Sequence, residues 1–204
     1  MKEFRIEGLG IISKGEFETL KIDGVSTCKN DMKAANIQIS GVLNCTGAVD
    51  AGELYCKGIA EFKSNIRAVK MQVEGVVSNT GGSKIEAGEI ICTGIITTKG
   101  EISADIINAE GCIEADEIVG DQIRIYSHYR TPKLIAFLNR VKSKARMIEA
   151  TTIDLRGVSA KVVNGRDITI GPACHIEHLD CSGSLYIDES SVVRNITGEY
   201  SRRE

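Results

Sequence analysis

A five-residue unit, apolar-x-apolar-x-Gly, recurs along this chain and constrains its fold more than any other feature. It occupies residues 4–8, 20–24, 37–41, 54–58, 71–75, 90–94 and 107–111, and stands once more at 153–157. The glycines from Gly8 to Gly111 are spaced by 16, 17, 17, 17, 19 and 17 residues. A unit this short cannot bury its own apolar side, so a fixed period of this length points to stacked repeats. Other positions keep step. An apolar residue follows each glycine: Leu9, Val25, Val42, Ile59, Val76, Ile95 and Cys112. Four positions after the glycine stand Ile12, Cys28, Cys45 and Phe62; eight after it stand Met32, Val49, Ile66, Ile102 and Val119. In the longest unit Ile85 takes that place, displaced by the loop 78–83.

Within each stretch the apolar residues alternate, which is the period of a strand. Three short strands per repeat make one coil of a parallel β-helix, with coils stacked about 4.8 Å apart. Leu20, Ile37, Leu54, Met71, Ile90 and Ile107 are then expected to form one column. The glycines suit corners that need either φ > 0 or close packing. Parallel crossovers are overwhelmingly right-handed. The fold class expected is therefore all-β: a right-handed three-sided parallel β-helix of about 17 residues per coil.

The pattern loosens after Ile125. Thr131 reads as an N-cap and Pro132 as a first helical residue. Leu134, Leu138, Val141, Ala145 and Ile148 keep helical spacing, so an inserted amphipathic α-helix is expected over 131–148. Lys133, Arg140, Lys142, Lys144 and Arg146 give it five positive charges and no acid, against a whole-chain net charge of -3. These five are the candidate residues for docking a membrane surface or a protein partner. The period then returns: residues 168–171 and 185–188 lie 17 apart. The division expected is a β-helix of about seven coils over 1–128, the basic helix over 129–148, and about three further coils with a short tail over 149–204. Asn164-Gly165 reads as a turn.

Hydrophobic residues make up 42% of the chain, but only 4% of it is aromatic and there is no Trp, so the core must be aliphatic. The acidic balance argues against a nucleic-acid partner. No apolar run is long enough to span a bilayer, and the opening MKEFRIEGLG lacks a signal-peptide pattern. The expected location is cytoplasmic, with the inner face of the membrane as a peripheral site. Seven cysteines, an odd number, fit poorly with a disulfide framework. Cys174, His175, His178 and Cys181 are the one metal-like cluster, but their spacing matches no common zinc unit. His128 stands alone, and Gly81-Gly82-Ser83-Lys84 lacks the spacing of a phosphate loop. No catalytic, cofactor or metal site and no small-molecule substrate is expected, so the chain reads as a non-enzyme. A β-helix acyltransferase is the enzyme alternative. Its six-residue repeat does not divide a 17-residue period, and no His lies within the regular coils.

The coils from Leu20 to Gly111 resemble those of the bactofilins, bacterial polymer-forming cytoskeletal proteins. The resemblance covers roughly 4–125 and again 150–197. It implies a self-assembling scaffold that forms filaments end to end without nucleotide, often at a membrane. The partner would then be the chain itself, with contacts at the terminal coils. Phe4 and Ile6 begin the first apolar columns; Tyr186, Ile187, Val193 and Ile196 close the last coil. The alternative is a non-polymerising β-helix adaptor that docks its partner through the helix 131–148.

Overall fold

The computed structural model describes residues 3–127 and 142–203. The chain starts with β1 (Glu3–Ile6) and β2 (Leu9–Ile12). Eight-residue and four-residue strands then alternate: β3 (Gly15–Ile22), β4 (Val25–Cys28), β5 (Met32–Ile39), β6 (Val42–Cys45), β7 (Val49–Cys56), β8 (Ile59–Phe62), β9 (Ile66–Val73), β10 (Val76–Asn79), β11 (Ile85–Cys92) and β12 (Ile95–Thr98). Longer strands follow: β13 (Glu101–Ala109), β14 (Cys112–Tyr126), β15 (Ser143–Arg156) and β16 (Val158–Ile170). The chain closes with β17 (His175–Cys181), β18 (Ser184–Ile187), β19 (Val192–Thr197) and β20 (Ser201–Arg202). Each pairs in parallel with the strand one coil away, as β3 does with β5 and β4 with β6. The result is an all-β parallel β-solenoid of about 11 turns with about 17 residues per turn.

Each eight-residue strand bends once. Phe17 pairs with Ala34 and Thr19 with Asn36, while Glu18 and Ala35 fall outside the pairing. One coil therefore adds three paired runs: two from the long strand and one from the short. Side chains on the inner side stack on their equivalents. Leu20, Ile37, Leu54, Met71, Ile90 and Ile107 form one column, and it continues through Ile123, Ile153, Ile168 and Leu185. Every member is buried. Each such aliphatic side chain contributes about 1.5–3 kcal/mol on burial, and the column repeats that gain at every coil.

The stacked glycines hold the corner by close approach. A Cβ on Gly58 would lie 2.0 Å from the carbonyl oxygen of Gly41 one coil below. Only glycine lets the two backbones meet there. Outside, charge agrees with the register that the buried columns set. Glu16, Lys33, Asp50, Arg67 and Glu86 stack in succession, so opposite charges alternate at every step. A one-coil slip would bring like charges together, which is unfavourable across adjacent strands.

Three expectations need correction. The helix expected over 131–148 is not there from Ser143 onward: those residues are the start of β15. Lys144 and Arg146 lie on a strand. Ala145 and Ile148 are both buried, and their helix-like step of three comes from a two-residue corner, Arg146-Met147. Residues 131–141, with Lys133 and Arg140, lie outside the described residues. The boundary at 149 is also displaced, because β15 pairs with β14 from Lys144 onward and the ladder runs through. The turn expected at Asn164-Gly165 is strand instead, paired with Glu149 and Ala150. Gly165 there serves a column of small residues that includes Ala104, Gly120 and Ala150.

The chain leaves and re-enters the solenoid at one corner. Ser127 Oγ donates to Ser143 Oγ at 2.6 Å, and the Ser143 amide donates to Ser127 Oγ at 3.1 Å. Ser143 Oγ also accepts from the Ile113 amide at 3.0 Å. These bonds satisfy a fully buried hydroxyl where the ladder resumes.

Candidate functional site

Among the described residues, β1 pairs only with β3 and β2 only with β4, so the first coil presents an open backbone edge. Its exposed apolar side chains lie among charged ones: Arg5 pairs with Glu7 and Asp23, and Lys21 with Glu3. Phe4 is 40% exposed, and its ring centroid lies 5.8 Å from that of Phe17. Ile6 is buried and continues the column of Ile22. Leu9 and Ile11 were not singled out as assembly residues, yet they are 90% and 77% exposed. Their signal lay in the apolar residue after each glycine. From Leu9 to Ile95 those residues face outward rather than in, because Gly10, Ser26 and Leu43 take the inward positions beside them, whereas Cys112 is buried.

The far end is built differently. Ile187, Val193 and Ile196 are half-buried against the core, and Tyr186 stacks on Thr169 outside it. Arg202 takes the next place above Leu185. Arg203 Nη2 donates to Thr169 Oγ1 at 3.2 Å. Both terminal coils therefore carry charge, and the first adds exposed Phe4, Leu9 and Ile11.

Two of the remaining basic candidates, Lys144 and Arg146, line a groove of about 620 Å³ that also holds Glu114, Asp116 and Glu177. Its floor is a column of Ala115, Ala145 and Ala160. Lys144 stands on one rim; Arg146, Lys161 and Arg194 stand on the other. Arg146 Nε reaches both oxygens of Asp116 at 3.1 Å, and its Nη2 pairs with Glu117. Among the described residues no carboxylate lies in ion-pair range of Lys144, Lys161 or Arg194. Lys142 is exposed where the chain re-enters the coil.

All seven cysteines are free and buried. Burial, then the neighbouring Cys28, pushes the Cys45 thiol up to about 12. Burial, then Cys112, pushes Cys92 to about 12, and burial alone dominates at Cys56 and Cys112, both about 11. Such thiols are not nucleophiles near neutral pH. Strand alternation separates the metal-like cluster. Cys174 and Cys181 face the core, while His175 and His178 are exposed. No group of three or more metal-ligating side chains converges among the described residues. The loop after Asn79 is held from inside: Asn79 Nδ2 donates to the carbonyls of Ser64 and Ser83 at 3.1 and 3.2 Å.

No helix among the described residues is long and apolar enough to cross a membrane. No family model, curated protein or solved structure matches the chain.

Proposed function

We propose that this chain is a structural scaffold that self-assembles end to end, in the manner of the bactofilins and without nucleotide. Its coil is right-handed and three-sided in this reading, and it works in the cytoplasm or at the inner face of the membrane. The supporting observation is the first coil, where an open backbone edge carries exposed Phe4, Leu9 and Ile11. An uncovered edge of this kind is a template for pairing with another chain. The half-buried Ile187, Val193 and Ile196 at the other end give it an apolar counterpart. Negative-stain electron microscopy of purified protein at rising concentration, with no nucleotide or metal, tests it. Filaments of constant width are expected, and Phe4→Asp should dissolve them. Single particles at every concentration overturn the proposal.

A second reading rests on the groove. Lys144, Lys161 and Arg194, without acidic partners among the described residues, suit a non-polymerising adaptor that holds an acidic protein partner. Charge reversal at Lys161 and Arg194 would then abolish capture of an acidic peptide and leave the oligomeric state unchanged.

A further inference from the structure

One side of the solenoid is unlike the others. The short strands β2, β4, β6, β8, β10 and β12 each point two side chains outward. One set stacks as Leu9, Val25, Val42, Ile59, Val76 and Ile95; the other as Ile11, Thr27, Asn44, Glu61, Ser78 and Thr97. Glu61 is the one charge among these twelve residues, in a chain that is 26% charged. The contrast with the first paired run is sharp, since Glu16, Lys33, Asp50, Arg67 and Glu86 are all charged at its outward positions. Leu9 and Ile59 are 90% and 53% exposed, and Val25 is exposed as well.

We propose that this face pairs side to side with the same face of a second copy, with the two solenoid axes antiparallel. The occupant follows from the pitch. A row of branched side chains spaced about 4.8 Å apart interdigitates best with a row of the same spacing, and a second copy presents one. The area is adequate. The chain exposes 10823 Å² over 204 residues, about 53 Å² each, so twelve residues offer about 640 Å². A standard stable interface buries about 800 Å² per partner, and neighbouring corner residues close much of the gap.

Glu61 selects the orientation. With parallel axes in register, a two-fold along the solenoid exchanges the two columns and presses Glu61 against Ile59 of the second copy, a charge in an apolar contact without a partner, which costs free energy. About a perpendicular two-fold axis, the fourth step of the row meets the third. Glu61 then lies level with Asn44, whose amide can donate to it, and Ile59 lies level with Val42. Val25 meets Val76, and Leu9 meets Ile95. The backbone edge of the first coil is not used, but Leu9 and Ile11 belong to both surfaces, so the test separates the two assemblies through Phe4, which this face does not contain.

The test uses the full chain with Phe4→Asp, which removes the proposed end contact at a half-exposed side chain. Sedimentation velocity at about 50 µM should show a dimer. Ile59→Lys should weaken it at least about ten-fold, while the thermal melt by circular dichroism stays that of the parent, because Ile59 is on the surface. Lys21→Ala, on another face, should leave the dimer intact. The buried native thiols give a quiet background for cross-linking. Val25→Cys and Val76→Cys, mixed and oxidised, should join to each other, and neither should join to itself. A monomeric parent, or a dimer indifferent to Ile59→Lys, overturns the pairing. Val25–Val25 and Val76–Val76 cross-links in place of the mixed one overturn the antiparallel arrangement.

Discussion

The coils before Ala109 and those after it keep the same inward columns but turn their corners differently. At most corners of the earlier coils three residues separate the last inward side chain of one coil from the first of the next, as Lys29-Asn30-Asp31 do between Cys28 and Met32, although Ser13-Lys14 make a shorter first corner and residues 80–84 a longer one. In the later coils two suffice, as Asp116-Glu117 do between Ala115 and Ile118. There the strand pairing continues through the corner, joining neighbouring runs into β14, β15 and β16, which are 15, 14 and 13 residues long. The three-residue corners need side chains to satisfy their backbone: Asp31 accepts from the Ala48 amide at 2.9 Å and Asn65 from the Lys84 amide at 3.0 Å. The glycine corner differs too. Gly58 is required by contact with Gly41, whereas Gly157 is required by a φ of 66°. The columns specify the solenoid, and the corners are where its surface is free to change.

The largest expected difference between the halves appears in alkali. Cys45, Cys56 and Cys92 in the earlier coils and Cys112 just past Ala109 have folded values of about 11 to 12 against an ordinary value of 9.0, while in the later coils burial also raises Cys174. A raised value means that the folded state holds the proton longer. Stability is then complete below about pH 9 and is lost as pH rises toward 11 to 12, by up to about 1.4 kcal/mol per pH unit for each thiol. Urea midpoints measured from pH 8 to 11 should fall steeply, and Cys45→Ala should reduce the slope. A flat profile would remove this contrast between the halves.

Next in size is truncation of the shared column. Leu54→Ala in the earlier coils and Ile153→Ala in the later ones should each cost about 2–5 kcal/mol, read from urea unfolding. Comparable losses mean that one core serves both halves. A much smaller loss at Ile153 would mean that the later coils are loosely stacked on the rest. The two glycine corners should then separate. Gly58→Ala pushes a methyl into backbone and should cost about 3 kcal/mol. Gly157→Ala meets nothing closer than 3.3 Å, and strain at positive φ should cost about 1–2 kcal/mol. Reversal of that order would break the account of why each glycine is there.

The columns were legible because a period of 17 leaves the same residue type at the same place in successive coils. Leu20 to Ile107 could be stacked on paper without any knowledge of side-chain direction. The corners were not legible in this way. A two-residue corner turns a strand spacing into a step of three, and Ala145 and Ile148 then imitate a helix beside Leu138 and Val141. Asn164-Gly165 fails as a turn for a related reason: Gly165 is small because Ala150 packs on it, not because the chain reverses. The assembly candidates were legible only in part. Phe4 and Ile6 follow from column order, but Leu9 and Ile11 needed the direction of the residue after each glycine, and an apolar residue there reads as core.

The smallest expected effect concerns ion pairs at the surface of the two halves. Arg146 contacts Asp116 and Glu117 in the later coils, and Arg67 reaches Glu86 at 3.2 Å in the earlier ones. Both arginines stand in solvent, where attraction is screened and two side chains lose freedom to meet. Arg67→Ala and Arg146→Ala should therefore leave the urea midpoint close to that of the parent, and any shift should vanish in about 1 M salt, where screening acts within roughly 3 Å. Arg146 is the stricter case, because it lies in the groove and meets two carboxylates. If Arg146→Ala lowers stability by an amount that survives salt while Arg67→Ala does not, the groove corner depends on that network, and the two-residue corner is held by charge rather than by continuous strand pairing.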